Sequence, residues 1–226
     1  MNKKKKKHAD ALYLLLAGLF IASLVTCNLI ANKFVSVDLG FKTFIISAGV
    51  LPYPITFLIT DILSEIYGRK KTSAVVYTGL GASVFVLFIL FLGHQFHAIE
   101  GSPVNDSTYE AVFANSWRIV ASSMIAYIAA QLIDVRVFHF WKKITNGKHL
   151  WLRNNGSTIF SQLIDTTLVV FVLFMGIKST EEITGFILDG WMFKALIALL
   201  DTPIFYLAVF ILRRYFGIKG TNELSF

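Results

Sequence analysis

Long apolar runs alternate with short polar breaks along this chain. Six runs, at residues 11–31, 44–66, 73–93, 119–138, 156–177 and 193–212, match the roughly 20 residues a helix needs to cross a hydrocarbon core. In lipid each run is expected to be helical, because every backbone N–H and C=O must find its partner within the segment. The pattern predicts an all-α, polytopic membrane protein: a bundle of six transmembrane helices over residues 11–215. A basic tail, residues 1–10, precedes it and a short tail, residues 216–226, follows. Two connections are long: a polar one at 94–118, and a basic one at 139–155.

Composition agrees with lipid as the solvent. Apolar residues make up 55% of the chain and charged ones 15%, with a mean hydropathy of +0.64; a soluble domain carries about a quarter charged residues. The net charge of +7 could suggest a nucleic-acid partner. Its distribution points to a membrane instead. With the amino terminus inside, only Lys33, Lys42, Arg118, Lys178 and Lys194 of the 21 basic residues fall outside. Lys3 to Lys7, Arg69 to Lys71, Arg136 with the four basic residues of the connection at 139–155, and Arg213, Arg214 and Lys219 fall inside. That is the positive-inside distribution, with both termini in the cytoplasm (N-in/C-in) and the basic charge facing anionic headgroups. No direct nucleic-acid partner is expected. Trp117, Trp141, Trp151 and Trp191 all fall at expected interfaces, where an indole is most stable.

The start, Lys3 to Lys7 before an apolar run, has the look of a secretory signal, and Thr26-Cys27 hints at lipoprotein processing. The run continues to about Ala31, long enough to span, so cleavage is not expected. A multi-pass protein of the bacterial plasma (inner) membrane is. Cys27 is the single cysteine, so no intrachain disulfide can form. His94 and His97 are close together, but no third ligand lies at metal spacing; no metal or cofactor is expected.

Polar groups inside the spans carry the candidate chemistry, because a carboxylate at the bilayer centre costs about 2.5–3.5 kcal/mol on insertion scales and usually faces a partner or a substrate path. The fifth span carries Ser157, Ser161 and Asp165, four apart and so on one stripe, with Gln162 beside it. Asp165 and, in the sixth span, Asp201 fall near the midplane by residue count. The second span carries Asp61 and Glu65 on one face; Arg69, four further on, is placed to pair with Glu65. Gln131 and Asp134 fall towards the cytoplasmic end of the fourth span, and Asp134 is read as interfacial. Pro52 and Pro54 predict a kink or break in the second span. In the first span, Gly18 and Ala22 form a small-xxx-small pair suited to helix packing. Asn28 and Asn32 share a face, suited equally to a ligand or another helix. Gln131-Leu-Ile-Asp134 recurs as Gln162-Leu-Ile-Asp165, a faint echo of an inverted pair.

Two stretches resemble a known family. Pro54-Ile-Thr-Phe-Leu-Ile-Thr-Asp61-Ile-Leu-Ser-Glu65-Ile-Tyr67-Gly68-Arg69 resembles the second-helix signature of the queuosine-precursor transporter family. Arg153-Asn154-Asn155-Gly156-Ser157-Thr158, followed by Ser161-Gln162 and Asp165-Thr166, is similar to its fifth-helix signature. Size and six-helix topology match over nearly the whole chain. The resemblance implies uptake of a 7-deazaguanine base, such as preQ0 or preQ1, for salvage into tRNA queuosine. On matching positions it nominates Asp61, Glu65, Arg153, Asn154, Ser157, Gln162 and Asp165; Asn28 and Asp201 join them from the reading of the spans. Asp165 or Asp201 would accept from the N–H and amino edge, and Gln162 would donate to the carbonyl side.

Other readings make different demands. An intramembrane enzyme would need a Gly-x-Ser-Gly, Gly-x-Gly-Asp or His-Glu-x-x-His motif, and none occurs; no enzyme activity is expected. A substrate-capture subunit of an energy-coupling-factor vitamin transporter has this size, but the chain has no phosphate loop and would need a separate energising module. Its first helix also lacks the Ala-x-x-x-Ala docking motif common in such subunits. A channel would need rings of charge or carbonyls from a homo-oligomer. The driving force stays open, between protons carried on Asp165 and Asp201 and trapping by metabolism.

Overall fold

The computed structural model describes residues 3–31, 33–40, 42–114, 117–174, 176 and 178–224. The elements are α1 (Lys3–Leu29), β1 (Phe34–Asp38), β2 (Thr43–Ser47), α2 (Tyr53–Tyr67), α3 (Arg69–His94), α4 (Asp106–Tyr109), α5 (Trp117–Ile144), α6 (Leu150–Phe174) and α7 (Thr180–Phe216). A short 3-10 turn, Ala48–Val50, leads into α2, and a π-turn, Glu110–Ala114, follows α4.

The fold is mostly helical and polytopic. Among the described residues four segments are long and apolar enough to cross a membrane: Lys3–Leu29, Ala48–Tyr67, Arg69–His94 and Thr180–Phe216. The packing is inverted relative to a soluble protein. Large apolar side chains such as Leu14, Phe85, Phe91, Leu200 and Phe210 face outward. Thr60, Asp61, Glu65, Gln131, Asp134, Arg153, Ser157 and Ser161 are buried to within 1% of full. Such a surface is stable only against an apolar solvent, and the polar interior must satisfy itself. Helices α5 and α6 carry much of that interior polarity, which lowers their apolar content. They are nevertheless 28 and 25 residues long.

The two ends of the chain meet. His8 of α1 bonds the Tyr215 hydroxyl of α7, and Lys5 lies over the same ring. Tyr67, at the end of α2, donates to the Ala9 carbonyl at 2.8 Å.

Several expectations change. The second run does not begin as a helix: Thr43–Ser47 pairs antiparallel with Phe34–Asp38 in a small hairpin. Pro52 caps α2 and Pro54 lies in its first turn, where the missing N–H has no intrahelical partner to lose. The prolines therefore start the helix rather than kink it. The basic connection shrinks to residues 145–149, and Arg153, Asn154 and Asn155 are helical. The last helix starts earlier than the apolar run, at a capping box in which Ser179 and Glu182 satisfy each other's backbone N–H groups. Gly18 faces open space, and α1 packs instead through Phe20 and Leu24 on Gly79 of α3. Asn32 and the side chain of Trp117 lie outside the described residues.

Candidate functional site

The interior polar groups fall into four linked clusters on α2, α5, α6 and α7. The first is a hydrogen-bond chain. Thr60 donates to Gln131 Oε1 at 3.1 Å, while Gln131 Nε2 donates to the Tyr127 hydroxyl at 3.0 Å and to Thr56 at 3.4 Å. These residues sit at helical spacing on α2 and α5, so each helix presents one polar stripe to the other.

The second is a carboxylate pair. Thr158 of α6 points between Asp61 of α2, at 3.5 Å, and Asp134 of α5, at 3.3 Å; Ser161 adds a bond to Asp134 at 3.1 Å. Among the described residues no cation forms an ion pair with either acid. Asp61 Oδ1 and Asp134 Oδ2 are buried without a hydrogen-bond partner. Asp134 is therefore fully interior, not interfacial as its position along the chain suggested.

The third centres on Asp165 of α6. Lys194 of α7 lies 2.7 Å from Asp165 Oδ2 and 3.1 Å from the Thr166 hydroxyl. Its ammonium is 4.3 Å from the centre of the Tyr53 ring. Tyr53 packs against Tyr127 at 4.9 Å, joining this cluster to the first. Asp165 Oδ1, Gln162 Oε1 and the Tyr53 hydroxyl are buried without partners.

The fourth lies nearer the end of the bundle where the chain termini meet. Glu65 is held by Arg153 of α6 at 3.0 Å, by Arg213 of α7 in a close contact, and by Lys142 of α5 at 3.7 Å. Arg69, placed by spacing to pair with Glu65, is not among its ion-pair partners. Three helices supply cations that outcompete it, and all lie within reach of a fully buried acid.

Of the nominated residues, Asp61, Glu65, Arg153, Ser157, Gln162 and Asp165 thus share one buried interior. Asn154 is buried beside them and its carbonyl accepts from Ser157 at 3.2 Å. Asp201 is half-buried; it neighbours Thr202, which bonds Asn155. Asn28 stands apart in a cavity lined by Val25, Leu29, Ser83, Leu87 and Met124, an apolar setting without the carboxylates. Lys194, Lys142 and Arg213 were not singled out from the sequence. Lys194 was assigned to an outer connection; the Ser179-x-x-Glu182 signature, read as a helix start, would have placed it about four turns inside α7.

A helical bundle with an apolar exterior and a charged, incompletely satisfied interior defines a multi-pass membrane protein. Residues 47–208 match the family model described as "Putative vitamin uptake transporter". The chain belongs to this family of membrane transporters. It is 29% identical over 161 residues to the "Probable queuosine precursor transporter" of Bacillus subtilis (strain 168), covering 71% of this chain and 70% of that one. It is 24% identical over 159 residues to the "Queuosine precursor transporter" of Escherichia coli (strain K12), covering 70% and 65%. For the "Probable queuosine precursor transporter" of Haemophilus influenzae, the figures are 25% over 146 residues, 63% and 56%. The matched segment thus spans between about half and about two thirds of these relatives. No solved structure matches.

Proposed function

We propose that this protein imports queuosine precursors, 7-deazaguanine bases such as preQ0 or preQ1, across a bacterial plasma membrane. One observation carries the reading: Asp61 Oδ1, Asp134 Oδ2, Gln162 Oε1 and Asp165 Oδ1 are buried acceptors without donors. An unsatisfied buried acceptor costs about 1–3 kcal/mol. A ligand rich in donors removes that cost, and a guanine-like edge offers a ring N–H and an amino group side by side. The aminomethyl cation of preQ1 adds a third donor. Tyr53 and Tyr127 supply aromatic faces beside the same carboxylates, suited to stacking a base. The similarity to queuosine precursor transporters supports the same substrate class.

Six spans with both termini inside fit this role. The meeting of α1 with the end of α7 supports an even number of crossings. The basic residues gathered there support placing that end in the cytoplasm. In this arrangement α5 and α6 are the fourth and fifth spans, turning their polar stripes to the interior and side chains such as Phe160 and Phe171 outward. Asp61, Glu65, Arg153, Asn154, Ser157, Gln162 and Asp165, with Asp134 and Lys194 added, line the path; Asn28 lies outside it.

The test is complementation. Cells unable to synthesise preQ0 would express the protein, receive low preQ0 or preQ1, and be assayed for queuosine in tRNA. Restored modification, lost with Asp165→Ala in protein still present in the membrane, is the expected result. Good membrane expression without restoration would overturn the substrate and direct the search to vitamins.

A further inference from the structure

Beyond α7 the chain does not leave the bundle. It turns at Gly217 and runs back across the helix ends as far as the described residues go. Arg213 bonds the Gly220 carbonyl while contacting Glu65, so one guanidinium ties the turn to α2. Leu224 N–H donates to the Ile66 carbonyl at 2.8 Å, capping α2 from outside. Glu223 is placed 2.8 Å from Lys142 of α5 and 3.8 Å from His139. The carboxylate rests against Gly68, the single-residue corner between α2 and α3, where a Cβ would collide with it. Thr221 packs on Gly147 of the α5–α6 connection, 2.6 Å from where a Cβ would stand.

The charges fit this placement. Without the tail, Glu65 alone faces Arg153, Arg213 and Lys142. Glu223 brings a second carboxylate, and Lys142 bridges the two acids, one on α2 and one on the tail. One acidic residue meets the cationic niche, two backbone groups are bonded, and the tail fills the space beside Gly68 and Gly147, where positive φ values already call for glycine. These are independent features of one seat.

We infer that residues 218–224 form a strap that latches the cytoplasmic mouth of the transport path, with Glu223 as its catch on Lys142. The strap joins α2, α5 and α7 below the buried carboxylates. Those helices cannot separate at this end while it is seated. Opening to the cytoplasm requires the strap to lift, and its charge pairs are made only in the closed form. The inference rests on the orientation proposed above, not on the identity of the substrate.

Two experiments test it in the full-length protein with Cys27→Ser. In the first, Gly147→Cys and Thr221→Cys are combined. The Cβ positions are 3.8 Å apart, the usual separation across a disulfide. Oxidation is expected to cut uptake of a labelled 7-deazaguanine base at least tenfold, and reductant to restore it. A cross-linked protein that transports at the reduced rate overturns the latch.

In the second, Ser64→Cys reports from the fully buried face of α2 beside Glu65. A membrane-impermeant maleimide is applied to inside-out vesicles, with no substrate present. Glu223→Gln is expected to raise the labelling rate several-fold and Glu223→Asp to raise it less. Unchanged labelling with Glu223→Gln overturns the proposal. Labelling from right-side-out cells serves as the control: a rise there of the same size means general unfolding and also overturns it. Because this arm needs no substrate, a failed substrate assignment leaves it readable.

Discussion

Lys194 of α7 holds its ammonium 2.7 Å from a carboxylate oxygen of Asp165 on α6, and both side chains are more than nine-tenths buried. The pair is the one direct ionic link between these helices at this depth among the described residues. Removing one partner leaves the other charged and unpaired, at a cost of about 3–5 kcal/mol. Asp165→Asn and Lys194→Met are each expected to lower thermal stability in detergent strongly. The double variant should lose much less than the sum of the two. Additive losses in a double-mutant cycle would show that the residues do not act as a pair.

The amide of Gln131 bridges α5 to Thr60 and Thr56 of α2. Gln131→Leu keeps the volume but strands the Thr60 and Tyr127 hydroxyls without this partner. A loss of about 1–3 kcal/mol is expected in equilibrium unfolding. Gln131→Glu, which keeps the acceptor and loses the donor, should fall between.

The Asp61–Asp134 pair should separate stability from transport. Two acids flanking one hydroxyl, without a paired cation, are poorly compensated in a buried setting. Asp61→Asn or Asp134→Asn is therefore expected to leave thermal stability unchanged or raise it. Uptake should fall roughly 10- to 100-fold, the equivalent of one charge-assisted hydrogen bond of about 1.5–3 kcal/mol. A parallel fall in stability and uptake would assign the pair to structure alone.

In the polar connection after α3, Asp106 accepts from the Ala98 N–H at 2.7 Å and from His97 at 2.9 Å. These bonds, the backbone one foremost, hold its carboxyl below its ordinary pKa. A lowered folded value favours the charged form. The loop's stability is therefore full above the ordinary carboxylate range, and it is lost as pH falls through the lowered value. Hydrogen-exchange protection factors of residues 98–106, referred to the intrinsic rate at each pH, should fall as Asp106 is protonated. Asp106→Asn should show fast exchange at neutral pH and little further change.

The sequence disclosed what depends on long, regular patterns. Runs of apolar residues located the helices, and the polar stripe on α6 identified Ser157, Ser161, Gln162 and Asp165 as interior. It was silent where the outcome depends on residues far apart. Glu65 has Arg69 at favourable spacing, yet it takes Arg153, Arg213 and Lys142, which only the bundle brings together. Asp134 looked peripheral because Arg136 follows it closely. In fact the facing hydroxyls of Thr158 and Ser161 set its surroundings. Lys194 was hidden by an apolar run that began too late: α7 starts at its cap, not at its first hydrophobic residue. The hairpin at 34–47 has the apolar content of a membrane run, and a hydropathy criterion does not separate the two.

Glu65 and Arg213 are 148 positions apart. At ribosomal speeds of ~5–20 residues per second, roughly 7–30 s pass between the synthesis of one and of the other. During that interval α2 has no access to a counter-ion that its finished form depends on. Lys142 of α5 and Arg153 of α6 reach its acid first, and the set is completed only when the last helix arrives. Biogenesis therefore ends in a single locking event. A nascent chain stalled before Arg213 would hold Glu65 on Lys142 and Arg153 but lack the contact that ties α7 to α2, so its last helix would be unlocked.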